Sequence, residues 1–165
     1  MFKIGHSHDI HRLGENRKLI LGGIEIPFEF GLIGHSDADV VLHVVAESII
    51  GALGLGDLGT FFPDTDAKYK NVSSDIFVIR AIEMAKEKGY RVNNIDITVF
   101  LEKPHLHIYK EKIKTNIALL LEVDKENVNI KATRGEGLGY IGRMEGISAT
   151  AAVLLVSNPI MKKLW

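Results

Sequence analysis

The chain has 165 residues, with 20 Lys and Arg against 21 Asp and Glu, and this near-neutral balance excludes the basic footprint of a nucleic-acid binder. The length suits a single domain over residues 1–165, with enough chain to bury a core unaided. The absence of cysteine removes disulfides, thiolate ligands and a cysteine nucleophile, so any metal must be held by histidine and carboxylate.

In chain order, residues 2–13 (FKIGHSHDIHRL) read as a strand with Phe2 and Ile4 on one period-2 face. KLILGGIEIP (18–27) reads as a hairpin turning at Gly22 and Gly23 and ended by Pro27. Ser36 or Asp37 reads as the N-cap of an apolar helix over 40–53 that stops near Gly54 and Gly56. A long loop, 57–70, follows. Ser73 or Ser74 opens a second helix to about Lys88, closed by Gly89, with Ile76, Ile79, Ile82 and Met84 as its apolar positions.

Residues 93–101 alternate at Ile95, Ile97, Val99 and Leu101 and predict a strand, broken by Pro104. A third helix spans Tyr109 to Leu121 on Ile113, Ile117, Leu120 and Leu121. VNIKAT (128–133) is a strand, 133–146 is glycine-rich, and ISATAAVLLV (147–156) is a final long strand. The order β-β-β-α-α-β-α-β-β predicts a mixed α/β fold with one mixed sheet and helices on one face. The other face then requires burial elsewhere, which predicts oligomerisation. No apolar run approaches a membrane span, and the first ten residues lack the apolar stretch of a secretory leader, so a cytoplasmic protein is expected. SNPIMKKLW at the C-terminus carries no assignable role.

Asp9 and His11 stand two apart in a strand and so share a face. With His43 from the first helix they would supply three ligands and leave one position open, the coordination count of a catalytic rather than a structural zinc. The bland alternative is a polar strand face. Asp39 and Glu47 lie one helical turn from His43, and either can orient its ring. His35 and Ser36 precede a helix N-terminus, where free N–H groups attract phosphate; simple capping is the competing reading.

Asp57, Leu58 and Gly59 open the long loop, either to accept polyol hydroxyls or merely to turn. Phe62 to Asp66 (FPDTD) has the make-up of a lid. The stretch Thr133 to Gly146 sets Arg134, Glu136 and Arg143 among glycines. Arginine grips phosphate oxygens and a carboxylate can hold Mg²⁺, yet neither a GxxxxGK[ST] loop nor a dinucleotide fingerprint is present. Left-handed packing is the plain alternative.

Together the D-x-H of Asp9 and His11, HSDADVVLH (35–43), GDLGTFFPDTD (56–66) and KAT…EGLGYIGRMEGI (131–147) resemble the 2-C-methyl-D-erythritol 2,4-cyclodiphosphate synthase family of non-mevalonate isoprenoid synthesis, in order and spacing across nearly the whole chain. The resemblance implies a phosphorus–oxygen lyase that converts 4-diphosphocytidyl-2-C-methyl-D-erythritol 2-phosphate to the 2,4-cyclodiphosphate and CMP. It implies a homotrimer around a central axis with active sites between subunits. It implies one Zn²⁺ on Asp9, His11 and His43, and a Mg²⁺ or Mn²⁺ at Glu136 bridging the diphosphate.

It further assigns His35 and Ser36 to phosphate, and Asp57, Leu58 and Gly59 to the erythritol hydroxyls, with Phe62, Pro63, Asp64, Thr65 and Asp66 closing over them. Leu101, Pro104, His105, Leu106, His107, Ala132 and Thr133 are assigned to the cytidine end, with Tyr140 and Arg143 completing the binding set. An isoprenoid diphosphate in an axial cavity near Arg143 is a further implied ligand.

Three departures stand out. Arg134 replaces the second threonine credited with stabilising the transferring phosphate, and either does so by charge or points away. His105 replaces the usual lysine of the cytidine loop, and His8 the usual phenylalanine before the metal aspartate. Two other readings compete: a different metal-dependent phosphate-transfer or hydrolysis enzyme on this scaffold, and an inactive trimeric nucleotide- or isoprenoid-binding protein.

Overall fold

The computed structural model describes residues 1–157; most of SNPIMKKLW lies outside them. Strand β1 (Phe2–Gly14) pairs antiparallel with β7 (Gly146–Ser157) from Phe2 opposite Val156 to Arg12 opposite Gly146. On its other side β7 pairs antiparallel with β5 (Tyr90–Phe100), and β5 pairs parallel with β6 (Val128–Thr133). The parallel pair is joined by a crossover through helix α4 (Lys110–Leu121), as parallel neighbours require. With β4 (Gly31–Ile33) at the edge, the sheet order is β4-β1-β7-β5-β6, a five-stranded mixed sheet.

The 18–27 hairpin forms as β2 (Leu19–Leu21) and β3 (Ile24–Ile26), but as a separate two-stranded sheet. Its turn is the expected one: Gly22 and Gly23 hold φ +61° and +76°, the left-handed pair that suits a tight hairpin. What takes the edge of β1 is β4 (Gly31–Ile33), three residues too short to show any alternation. The hairpin instead packs on α4, so closely that a Cβ on Gly22 would sit 2.4 Å from Ile113 Cγ2.

Helix α1 (Val40–Ala52) is buried on nearly every side, because it is enclosed by β1, β7 and helix α3 (Asp75–Glu87). Its approach to β1 demands a glycine: a Cβ on Gly5 would meet Ser48 O at 1.8 Å. The cap is neither Ser36 nor Asp37 but Asp39, whose Oδ1 accepts from Val41 and Leu42 N–H at 3.0 and 3.1 Å. The same carboxylate accepts from Gly22 and Gly23 N–H at 2.9 and 2.6 Å, so it also ties the hairpin to the helix. Burial pushes the Asp39 carboxyl up to about 6, against those backbone N–H groups, which favour its charged form.

Helix α3 is rotated from the expected stripe. Phe77, Val78, Ala81, Ile82, Met84 and Ala85 are buried, while Ile76 and Ile79 are exposed. The long loop contains two short helical turns, α2 (Leu58–Phe61) and a 3₁₀ turn at Ala67–Tyr69, which the sequence pattern did not predict.

The sheet's two faces differ as a half-covered sheet should. Gly5, Ser7, Ile97, Val99, Ala149, Ala151 and Val153 are buried on the helix side. On the other side Phe2 and Ile4 are 72% and 78% exposed, with His6, His8 and Ile10 beside them.

Candidate metal centre and active site

The odd positions of β1 face α1, so Asp9 and His11 point at the helix and meet His43 on its first turn. Asp9 Oδ2 lies 3.0 Å from His11 Nε2 and 3.0 Å from His43 Nδ1, and those two nitrogens are 3.1 Å apart. Among the described residues this is the one group of three or more His, Asp or Glu able to share a metal ion. Ligand bonds of about 2.1 Å at tetrahedral angles put donor atoms roughly 3.4 Å apart. The observed triangle is near that size, so two imidazoles and one carboxylate fit a divalent cation with a fourth position open.

Each histidine has a partner on its far nitrogen. His11 Nδ1 donates to Ile33 O at 3.0 Å, which leaves Nε2, facing Asp9 and His43, as the nitrogen able to hold a cation. His43 Nε2 lies 2.9 Å from Ser74 Oγ and 3.2 Å from Ser36 Oγ. Neither Asp39 nor Glu47 orients His43, contrary to expectation. Asp39 is spent on backbone N–H groups, and Glu47 accepts from Ser7 Oγ and, at 3.4 Å, from Leu58 N–H.

Burial alone would push the Asp9 carboxyl up, but hydrogen bonds and charge from His11 and His43 hold it well below the usual carboxylate range. Burial likewise opposes the His11 imidazolium, but Asp9 and the Ile33 carbonyl outweigh it and raise that histidine above 6.5.

A cleft of about 290 Å³ opens beside the triangle, lined by His11, Gly34, His35, Ser36, His43, Leu58, Phe62, Asp64, Tyr69 and Phe77. An adjoining one adds His8, Asp9, Glu47, Gly59 and Pro63. The fold thus gathers His35, Ser36, Leu58, Gly59, Phe62, Pro63 and Asp64 around the same space as Asp9, His11 and His43. Asp57 caps α2 through Thr60 N–H at 2.9 Å. Thr65 and Asp66 line neither cleft; Asp66 caps the 3₁₀ turn and pairs with Lys68 at 3.0 Å.

The loop is pinned at both ends. Phe62 packs on Phe77 and Tyr69 with ring centroids 4.6 and 5.3 Å apart. Asn71 N–H donates to His35 O at 2.8 Å and Asp37 N–H to Val72 O at 3.0 Å. The His35 segment is held from behind by Arg17, whose guanidinium donates to the carbonyls of Leu32 and Ser36 at 3.2 and 3.0 Å.

A second pocket, about 190 Å³, gathers Leu101, Glu102, Pro104, His105, Leu106, His107, Ala132, Thr133 and Arg134, with Lys110, which the sequence reading missed. Glu102 Oε1 accepts from Arg134 Nε and Nη2 at 3.1 and 2.7 Å, and Oε2 from Gly135 N–H at 3.0 Å. Arg134 is thus turned onto the pocket wall. This pocket shares no lining residue with the metal cleft.

Glu136 stands exposed in left-handed backbone, φ +51°, and does not belong to the metal-capable triangle. Tyr140 donates to Ser148 Oγ at 3.3 Å, and Arg143 pairs with Glu145 at 2.7 Å; neither lines a described pocket. No helix among the described residues is long and apolar enough to cross a membrane.

Known proteins are similar to this chain over nearly its whole length. A protein from Clostridium acetobutylicum named 2-C-methyl-D-erythritol 2,4-cyclodiphosphate synthase is 49% identical over 93% of this chain and 99% of its own. One of the same name from Neisseria gonorrhoeae is 51% identical over 93% of this chain and 96% of its own. The Plasmodium falciparum IspF structure in complex with CDP superposes with a TM-score of 0.84 at 33% identity, covering 95% of this chain and 97% of that one. The bifunctional IspDF of Campylobacter jejuni gives a TM-score of 0.91 at 41% identity, over 95% of this chain and 42% of that one. The family model matching residues 2–156 is that of the YgbB family, and the chain belongs to it.

Proposed function

We propose that this chain is a 2-C-methyl-D-erythritol 2,4-cyclodiphosphate synthase acting in non-mevalonate isoprenoid precursor synthesis. The observation that carries the reading is the triangle of Asp9, His11 and His43 at the wall of a cleft that also holds His35 and Ser36.

In the reaction, a 2-phosphate oxygen of 4-diphosphocytidyl-2-C-methyl-D-erythritol 2-phosphate forms a bond to the β-phosphorus. The bond from that phosphorus to the bridging oxygen breaks, and CMP leaves with the electron pair. No protein nucleophile is required, and the task of the chain is to align the two phosphates and spread their charge.

The triangle suits Zn²⁺, which when bound would supply Lewis-acid polarisation of a phosphate oxygen. Ser36 Oγ accepts from Ala38 N–H at 3.2 Å, which leaves its proton for a phosphate oxygen, and His35 lines the same cleft. Asp57 and Gly59 would meet the erythritol hydroxyls, and Phe62 to Asp66 would cover them. The pocket at 101–107 and 132–134 suits the cytidine, with backbone groups of Leu101 to His107 beside it. Glu136, an exposed carboxylate, would hold the Mg²⁺ or Mn²⁺, which would supply charge neutralisation to the diphosphate.

Because the metal cleft and the cytidine pocket share no residue within one chain, the reading goes with a homotrimer in which neighbouring copies complete each site. The exposed Phe2, Ile4 and Ile10 would turn to its axis. An isoprenoid diphosphate bound there would draw Arg143 away from Glu145. Residence in the cytoplasm accords with this chemistry.

The test is a ³¹P NMR assay with the CDP substrate, with and without chelator. The cyclic diphosphate and CMP are expected only in the metal-loaded sample. Linear hydrolysis products, or metal and CDP binding without turnover, would overturn the reading.

A further inference from the structure

Ser74 occupies the N-cap position of α3, where a serine ordinarily turns its hydroxyl onto a free N–H of the first turn. Here it makes no such bond. Its Oγ lies 2.9 Å from His43 Nε2 and donates its own proton to Asp37 Oδ1, while Ser74 N–H donates to Asp37 Oδ2 at 3.0 Å. Ser74 is fully buried, so water does not compete for these contacts.

The two ring nitrogens of His43 face opposite tasks. Nδ1 stands at the corner of the metal triangle and must keep its lone pair there, so the ring proton belongs on Nε2. That proton needs a buried acceptor. Two hydroxyls are in reach, and the geometry decides between them. Ser74 has already given its proton to a carboxylate, so its oxygen is free to accept. Ser36 is farther, at 3.2 Å.

We propose that Ser74 and Asp37 are positioning residues for the metal ligand His43, forming the relay His43 Nε2–H to Ser74 Oγ–H to Asp37 Oδ1. The relay fixes the tautomer and the ring's orientation, and its terminal carboxylate strengthens Nδ1 as a donor. It also explains why an N-cap serine forgoes its cap. The inference rests on the metal reading of the triangle.

The test measures Zn²⁺ affinity by competition with a chromophoric chelator, with folding followed by circular dichroism. Ser74→Ala is expected to bind about tenfold to a hundredfold more weakly, Asp37→Asn to weaken binding in the same direction, and Ser74→Thr to restore most of the affinity. Ser73→Ala, at an exposed neighbour, is expected to match the parent. In the Zn²⁺-loaded parent, long-range ¹⁵N NMR is expected to show His43 protonated at Nε2 and coordinated through Nδ1.

Unchanged affinity in a folded Ser74→Ala overturns the relay alone, whereas a proton on Nδ1 in the parent overturns both the relay and Nδ1 as the ligand atom. A parent that binds no Zn²⁺ overturns the metal reading beneath it. If Ser74→Ala does not fold, Asp37→Asn carries the test: unchanged Zn²⁺ affinity in that folded variant overturns the relay.

Discussion

His43 is reached from three sides: by β1 through Asp9 and His11, by its own helix, and by α3 through Ser74. Replacing it by alanine removes one ligand of three, while its neighbours remain enclosed by the core. His43→Ala is expected to lose metal binding and retain the fold; elemental analysis showing full metal occupancy would refute the ligand assignment.

Stability of the metal-free protein should follow pH through the same residues. The raised His11 value means that the fold favours the imidazolium. That contribution is complete below 6.5 and is lost as pH rises through the raised value. The depressed Asp9 value acts at the other end, where its contribution is present above 3.8 and lost as pH falls through the folded value. Burial pushes the Asp39 carboxyl up to about 6, so its protonated form adds stability that is lost as pH rises through that value, in metal-free and metal-loaded protein alike. Chelator-stripped protein should therefore lose melting temperature as pH is raised from about 6.5, and metal-loaded protein should not, since the cation replaces the proton. A flat profile in the stripped protein would count against the pair.

At the level of elements, the triangle depends on how closely α1 lies on β1. Gly5→Ala would thrust a methyl into Ser48 O, and overpacking of this kind costs about 1–3 kcal/mol. Because α1 carries His43 and β1 carries the other two ligands, the variant should lose metal affinity along with denaturant stability. Loss of stability alone would show that the triangle tolerates the shift. The loop from α2 to α3 is a second such element. Phe62 anchors it on Phe77 and Tyr69 and lines the cleft. Phe62→Ala should raise KM for the CDP substrate about tenfold, roughly 1.4 kcal/mol of binding, with metal content unchanged; an unaltered KM would remove the loop from the substrate's surroundings.

For the whole molecule, the uncovered sheet face decides. Ile4 is 78% exposed in a single chain, where a polar replacement should cost within about 0.5 kcal/mol. If three copies bury that face, Ile4→Glu places a charge in each contact. Sedimentation should then show single chains that still bind metal but do not turn over substrate. An intact trimer in that variant would place the interface elsewhere.

Local pattern was enough to determine the strand carrying Asp9 and His11, because period 2 is set by the backbone alone, and the turn at Gly22 and Gly23, because only glycine takes those φ values freely. The apolar run after Asp39 likewise marked the helix that bears His43. What remained illegible depended on contacts between distant segments. Asp37 and Asp39 are equally good caps on paper, and which one caps is decided by the hairpin turn that donates to Asp39 and by Ser74, 37 residues away, that engages Asp37. The rotation of α3 was settled by what it packs against, and β4 by the vacant edge of β1. Nothing near Arg134 in the chain foretells that Glu102, 32 residues earlier, pairs with its guanidinium. Side-chain type and spacing state what a group can do; only the packed fold supplies the partner that decides what it does.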